Sequence, residues 1–198
     1  MGTILRGKIS PQAKLIEVAK KTGNAGLKFQ QGTTRVLYDS LPINGDREFR
    51  FFEGSNNRDF PFTNTGASGN KLTVGEALVI ERCYFAVFFI EPQTGQVSSL
   101  DSLASAGLPS IQKGELQYES ANQIQIKPFP VTSMQPQFNK SSEFDDYNNF
   151  EFDTQLVLLP LLEYIWSLRI GIQAAIDDTF LQFTVEGMGA IIAPKATM

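Results

Sequence analysis

Apolar residues recur at helical spacing in only one stretch of the chain. Between residues 10 and 23, Ala13, Leu15, Ile16, Val18 and Ala19 fall on one broad stripe. Ser10 is placed to cap that segment, and Pro11 suits its first position. Lys20 and Lys21 fall in its last turn, and Gly23 can close it. The pattern predicts an amphipathic helix in an N-terminal arm over residues 1–26. Such a lone helix either covers a sheet or packs on a neighbour, and the second is preferred here.

From residue 35 onward the period is two. Strands are expected at Arg35–Ser40, Glu48–Glu53, Lys71–Pro92, Gly114–Glu119, Gln123–Lys127, Phe150–Asp153, Tyr164–Ile172 and Thr179–Glu186. A turn is expected at Leu41–Asp46, with Asn44-Gly45 as its strongest signal. Phe49 and Phe51 share a face, with Phe52 on the other. Gly54–Arg58 and Asn64–Asn70 read as loops, and Pro61 keeps Phe60–Phe62 extended. Gly75 suggests a bulge or bend. Ile124 and Ile126 share a face, and Pro128 and Pro130 are expected to end their strand. Tyr164, Trp166, Leu168, Ile170 and Ile172 alternate with Ser167, Arg169 and Gly171, which predicts one wet face. Leu181, Phe183 and Val185 repeat the pattern against Gln182, Thr184 and Glu186. Gly187 and Gly189 then suggest a bend before an apolar segment, Ala190–Ala193.

Two stretches break the alternation. Cys83–Ile90 is apolar on both faces, so both must be covered: one by the core, the other by the arm, a loop or another subunit. Leu100–Ala106 suggests a short helix, capped by Ser98 or Ser99 and ended by Gly107. About eight unevenly spaced strands, long loops and few βαβ candidates predict an all-β fold of two packed antiparallel sheets over 27–198. A jelly roll suits this spacing better than an immunoglobulin-like sandwich, whose Cys-Trp-Cys pattern is missing.

Composition narrows the chemistry. The chain has 198 residues, 42% apolar and 19% charged, which suits one folded domain rather than disorder. Phe is unusually frequent, at 16 residues. Zero histidines remove Ser-His-Asp and Cys-His catalysis and the usual zinc or cupin metal ligands. A single cysteine, Cys83, allows no internal disulfide and reads as a buried small hydrophobe. The net charge of −4 and the lack of a basic cluster beyond Lys20-Lys21 argue against nucleic acid as a partner. Neither Cys83–Ile90 nor Leu156–Leu162 is long enough to span a bilayer. Arg6 and Lys8 interrupt any signal-peptide core, so synthesis in a cytoplasm is expected.

Candidate reactive groups are few. Glu81, Glu163 and Glu186 could supply a two-carboxylate glycosidase site, but each alternates onto the solvent side of a strand. Glu143, Asp145 and Asp146, or Asp177-Asp178, could hold calcium, yet EF-hand spacing is missing and solvated loops explain them. The string Thr65–Lys71 and Gly187-Met188-Gly189 match no nucleotide fingerprint. Trp166 could stack on a sugar, though its alternation places it in a core or interface. Phe60, Phe62, Tyr118 and Tyr147 are the aromatics available for glycan contact at loop tips. No catalytic, cofactor-binding or metal-ligating residue is assigned.

Several strings together carry a resemblance. They are Tyr38-Asp39-Ser40-Leu41-Pro42-Ile43, Phe51-Phe52-Glu53, Arg58–Thr65, Asn70–Leu78, Leu156–Leu162, Asp177–Leu181 and Glu186-Gly187-Met188-Gly189. In these the chain resembles virion structural proteins of bacteriophages infecting Bacteroidetes hosts, including crAss-like phages. The resemblance implies a capsid-associated jelly roll without enzymatic activity, present in many copies on the particle and assembled in the host cytoplasm. Its partners would be copies of itself and other virion structural proteins. A carbohydrate- or receptor-binding jelly-roll module of a phage fibre is the alternative, and a carboxylate- or calcium-dependent hydrolase the third reading.

Overall fold

Residue alternation, more than any local propensity, builds this molecule: greasy positions of period two zip into strands whose inner faces meet. The computed structural model describes Ala13 and residues 31–53, 60–65, 70–72, 76–103, 106–133, 149–172 and 175–191. Within these lie eight strands: β1 (Gln31–Asn44), β2 (Glu48–Phe51), β3 (Glu76–Phe89), β4 (Glu115–Ser120), β5 (Gln123–Pro130), β6 (Asn149–Leu158), β7 (Tyr164–Arg169) and β8 (Ala175–Ile191). They form two four-stranded sheets, ordered β1-β8-β3-β6 and β2-β7-β4-β5. Every pairing is antiparallel. The expected all-β sandwich is therefore present. The expected helix over 10–23 and the arm around it fall, Ala13 aside, outside the described residues.

The strand order is nested. β1 pairs with β8, β2 with β7, β3 with β6 and β4 with β5. The two sheets enclose one core. From the first come Leu37, Leu78, Ile80, Cys83, Phe85, Val87, Leu181, Phe183 and Val185; from the second come Phe49, Phe51, Leu116, Tyr118, Trp166 and Leu168. Its centre is aromatic, with Phe183 4.8 Å from Phe85, 5.1 Å from Trp166 and 5.4 Å from Phe51. Offset and tilted rings at these spacings add to what area burial alone provides.

β3 is buried on both sides, as its sequence requires. Its outward Ala77, Val79, Ala86 and Phe88 are as buried as its core residues. Val79 meets Val157 and Met188 in a second, small apolar cluster. Phe88 stacks on Phe180, and Phe62 leans on both at 6.5 and 5.0 Å. A loop segment thus supplies part of the second cover.

Several expectations need correcting. Leu41-Pro42-Ile43 is strand, not turn, because β1 continues to Asn44. Tyr38 turns its N–H away from β8, and Pro42 shares that parity, so no ladder bond is lost at this sheet edge. Pro128 and Pro130 likewise lie inside β5, an edge strand. Phe52 does not face away from Phe49 and Phe51. It follows β2 in a left-handed conformation (φ 63°) that turns its ring into the same core. Leu100–Ala106 is not a helix where described: Val97 and Asp101 bridge back to Ile90 and Val87, and the only full helical turn in this region is Pro109–Gln112. Proline at its start favours that turn. Of Lys71–Pro92, Glu76–Phe89 is strand; Leu72 makes an isolated bridge to Pro160, and residues 73–75, with Gly75, lie outside the described set.

Gly187 and Gly189 make no bend. Both sit within β8. The ladder between β3 and β8 slips by one residue at Glu81, between Ile80↔Gly187 and Arg82↔Glu186. That bulge pushes the β3 backbone onto β8, and a Cβ on residue 187 would strike the carbonyl oxygen of Val79. Glycine here permits close approach. The wet faces of β7 and β8 are also drier than expected: Ser167, Gln182 and Thr184 are buried, whereas Ile172 is 71% exposed. Ile172 lies past the end of β7, where alternation no longer places it inward.

Candidate interaction surface

The structure places the candidate reactive groups apart from one another, two of them in ion pairs. Glu163, in the β6–β7 turn, is 2.9 Å from Lys71. Glu186, on the outer face of β8, pairs with Arg82 on β3. Glu81 occupies the β3 bulge. Asp177 and Asp178 lie within the irregular start of β8 rather than between strands. Asp178 is left-handed (φ 54°), its carbonyl accepts the Ile90 N–H, and the Asp177 carbonyl accepts the Thr179 hydroxyl at 3.1 Å. Turn geometry accounts for both. Among the described residues no three His, Cys, Asp or Glu side chains converge on a metal site. Glu143, Asp145, Asp146 and Tyr147 lie outside the described residues.

The aromatic candidates divide. Trp166 is fully buried, 4.5 Å from Tyr118, and belongs to the core. Tyr118 is buried with it rather than exposed at a loop tip, because its position on β4 sets it opposite Trp166. Burial raises the Tyr118 hydroxyl to about 12, with Ser120 opposing the shift. Burial likewise raises Tyr164, against the opposing charge of Arg35. It also pushes the Cys83 thiol well up, so that thiol is inert. Phe62 is half-buried against Phe88 and Phe180. Phe60 is 84% exposed and remains available to a ligand or partner.

What the surface offers instead is apolar area at both ends of the sandwich. At one end, the β4–β5 turn and the β6–β7 turn stand side by side, joined by the bond from the Ala121 N–H to the Glu163 carbonyl at 2.9 Å. Ile124, Leu161 and Leu162 are exposed there. Three residues near this tip, Ala121, Asn122 and Leu161, hold positive φ. For leucine that conformation costs about 1 kcal/mol or more. The Leu161 N–H bonds the Leu72 carbonyl at 3.0 Å, which fixes the strained residue with its side chain outward. The nearby charges are internally paired, Lys71 with Glu163 and Arg35 with Glu76 at 3.1 Å.

At the opposite end Phe89, Val97, Leu100, Ile172 and Ile176 are exposed. Phe89 and Ser98 exchange two bonds, N–H to Oγ at 3.0 Å and N–H to carbonyl at 2.9 Å. Those bonds hold Val97–Asp101 along the outer edge of β3. The sequence showed these apolar residues but not that loop folding would gather them at two poles. Only the left-handed positions carried a hint, in the turn-forming pair Ala121-Asn122.

No helix among the described residues is long and apolar enough to cross a membrane. No protein-family model matches the chain, and no curated protein does.

Proposed function

We propose that this chain is a non-enzymatic structural subunit of a phage particle: a jelly-roll capsid protein, of the shell or of an auxiliary or decorating layer, assembled in many copies in the host cytoplasm. The nested strand order carries the reading. Among the described strands the first pairs with the eighth, the second with the seventh, and so inward, as in one long hairpin rolled into two sheets. That arrangement suits the double-sheet jelly roll, which capsid and lectin domains share. The step from fold to role rests on the resemblance in the sequence and on the two apolar poles, because fold alone does not fix function. Paired charges and strained, outward leucine at one pole suit a surface that is desolvated against a neighbour.

The test is mass and location. Sedimentation of the purified chain across a hundredfold concentration range should show multimers, and labelled antibody should find the chain on intact particles. A strictly monomeric protein that never sediments with virions would remove the proposal. The exposed ring of Phe60 favours one second reading, a glycan-binding fibre module. Glycan-array binding lost in Phe60→Ala would support it, and a flat array would dismiss it.

A further inference from the structure

Three polar atoms lie in the core without a hydrogen-bond partner among the described residues: the Tyr118 hydroxyl, the Tyr164 hydroxyl and the Trp166 indole nitrogen. Their residues are 1, 2 and 0% exposed, so bulk solvent does not meet these groups. Folded proteins satisfy most buried polar atoms, and three orphans in one place call for a cause.

The three do share one place. Tyr118 on β4 sits directly opposite Trp166 on β7, with their rings 4.5 Å apart. Tyr164 lies two residues before Trp166 on the same inward face, opposite Ser120. Directly opposed positions of a strand pair are about 5 Å apart and diagonal ones about 7–8 Å, within reach of aromatic side chains. Charge on Tyr118 is felt at Tyr164 as well. Half-buried Ser120 reaches toward the Tyr118 hydroxyl but closes no bond to it.

The chemistry of the three groups selects what they bind. An indole N–H can only donate, whereas each tyrosine hydroxyl can donate or accept. The ligand must therefore accept at least one bond, and it must be small, because the surrounding rings are packed at 4.5–5.5 Å. An anion would suit three donors. Tyr164, however, feels one cation, Arg35, against two carboxylates, Asp39 and Glu76, which disfavours negative charge. Water is neutral, has two donors and two acceptor sites, and when buried makes about three hydrogen bonds.

We propose that Tyr118, Tyr164 and Trp166 form an internal hydration site, where one ordered water accepts the indole N–H and one tyrosine hydroxyl and donates to the other hydroxyl. The water ties the β4–β7 pair together from the inside, in a virion subunit or in any other β-sandwich with this core.

Trp166 is the only tryptophan, so its indole N–H gives one NMR signal that assigns itself. In the parent that proton should show cross-relaxation to water with the sign of a long-lived contact. Tyr118→Phe and Tyr164→Phe each remove one hydroxyl and keep the ring. Deleting an orphan hydroxyl relieves a cost, so without the water both variants gain stability. With the water, urea titration at neutral pH should show each shifting the unfolding equilibrium about fivefold toward the unfolded chain, the scale of one hydrogen bond. Both hydroxyls hold the same molecule, so the double variant should lose less than the two single losses combined, and its indole–water signal should vanish. A parent without that signal, a phenylalanine variant as stable as the parent or more so, or independent losses in the double variant would each overturn the proposal. So would stability that climbs with chloride at fixed ionic strength, which would make the ligand an anion.

Discussion

The carboxylate of Asp39 accepts the backbone N–H of Phe52 at 2.7 Å inside the core. Asp39 is 3% exposed, which for an aspartate needs a reason. The reason is the chain's path. After β2, Phe52 adopts a left-handed conformation so that both Phe51 and Phe52 point inward, and this frees an N–H that no ladder can take. Asp39 on β1 receives it. Removal of the acceptor in Asp39→Ala should cost about 1–3 kcal/mol, the range for a buried donor left unmet. Asp39→Asn keeps an oxygen there and should cost less. Urea denaturation midpoints compare the two.

Gly187→Ala should be among the most damaging single-methyl changes in the chain. Its Cβ would collide with the Val79 carbonyl at the β3 bulge, and neither backbone can yield without breaking the central ladder. A loss of about 3 kcal/mol or more is expected, with insoluble expression as the extreme form. A thermal midpoint within a degree or two of the parent would refute this account of the bulge.

Alternation made the core legible and loops made the surface illegible. Trp166, Leu168, Leu181, Phe183 and Val185 could be placed inward from spacing alone, because one strand period suffices to decide a side. Phe52 could not, since its side depends on a left-handed backbone stabilised from β1. Gly187 was visible as a glycine, but its purpose depends on a bulge in β3, far away in sequence. Pro42 looked like part of a turn, and Pro128 and Pro130 like strand terminators; only sheet order shows that they lie on edges. Tyr118 looked like a loop aromatic until its partner strand placed it against Trp166. The poles of exposed leucine, isoleucine and phenylalanine were likewise invisible, because nothing local says which turns share an end.

Leu161→Gly should separate folding from association. Glycine relieves the left-handed strain at φ 62°, so stability should rise by about 1 kcal/mol. The exposed side chain is lost at the same time, so multimers that use this pole should weaken. A thermal melt beside a sedimentation profile reads both signs in one preparation. Weaker association together with lower stability would argue for a purely structural leucine.

Phe183→Ala should remove the ring that joins both sheets, costing about 3–5 kcal/mol. Trp166 is the only tryptophan and is buried beside that ring. Its emission should therefore lie to the blue in the parent and move to longer wavelength when the chain unfolds. Phe183→Ala should bring that movement to lower urea. An unshifted midpoint would deny Phe183 its central place.

Alkali should destabilise the fold through Tyr118. Its ordinary value is 10.0, and burial raises it to about 12. The unfolded chain releases this proton first, so the stabilisation is intact below pH 10 and is lost as pH climbs toward 12. The loss is on the order of 3 kcal/mol for a shift of that size. Tyr118→Phe should flatten this part of the stability profile, measured by urea titration at pH 9, 10 and 11. An equal slope in both proteins would place the alkaline loss elsewhere.

β8, the last of the described strands in sequence, is an inner strand of its sheet: β1 and β3 flank it on either side and do not pair with each other. Gln31 therefore waits for Ile191 before it has a partner. A ribosome making this chain leaves the first sheet without its inner strand until Ile191 has emerged, and for that interval the long flanks of β1 and β3 that β8 will cover depend on dilution or chaperones to stay apart from their neighbours.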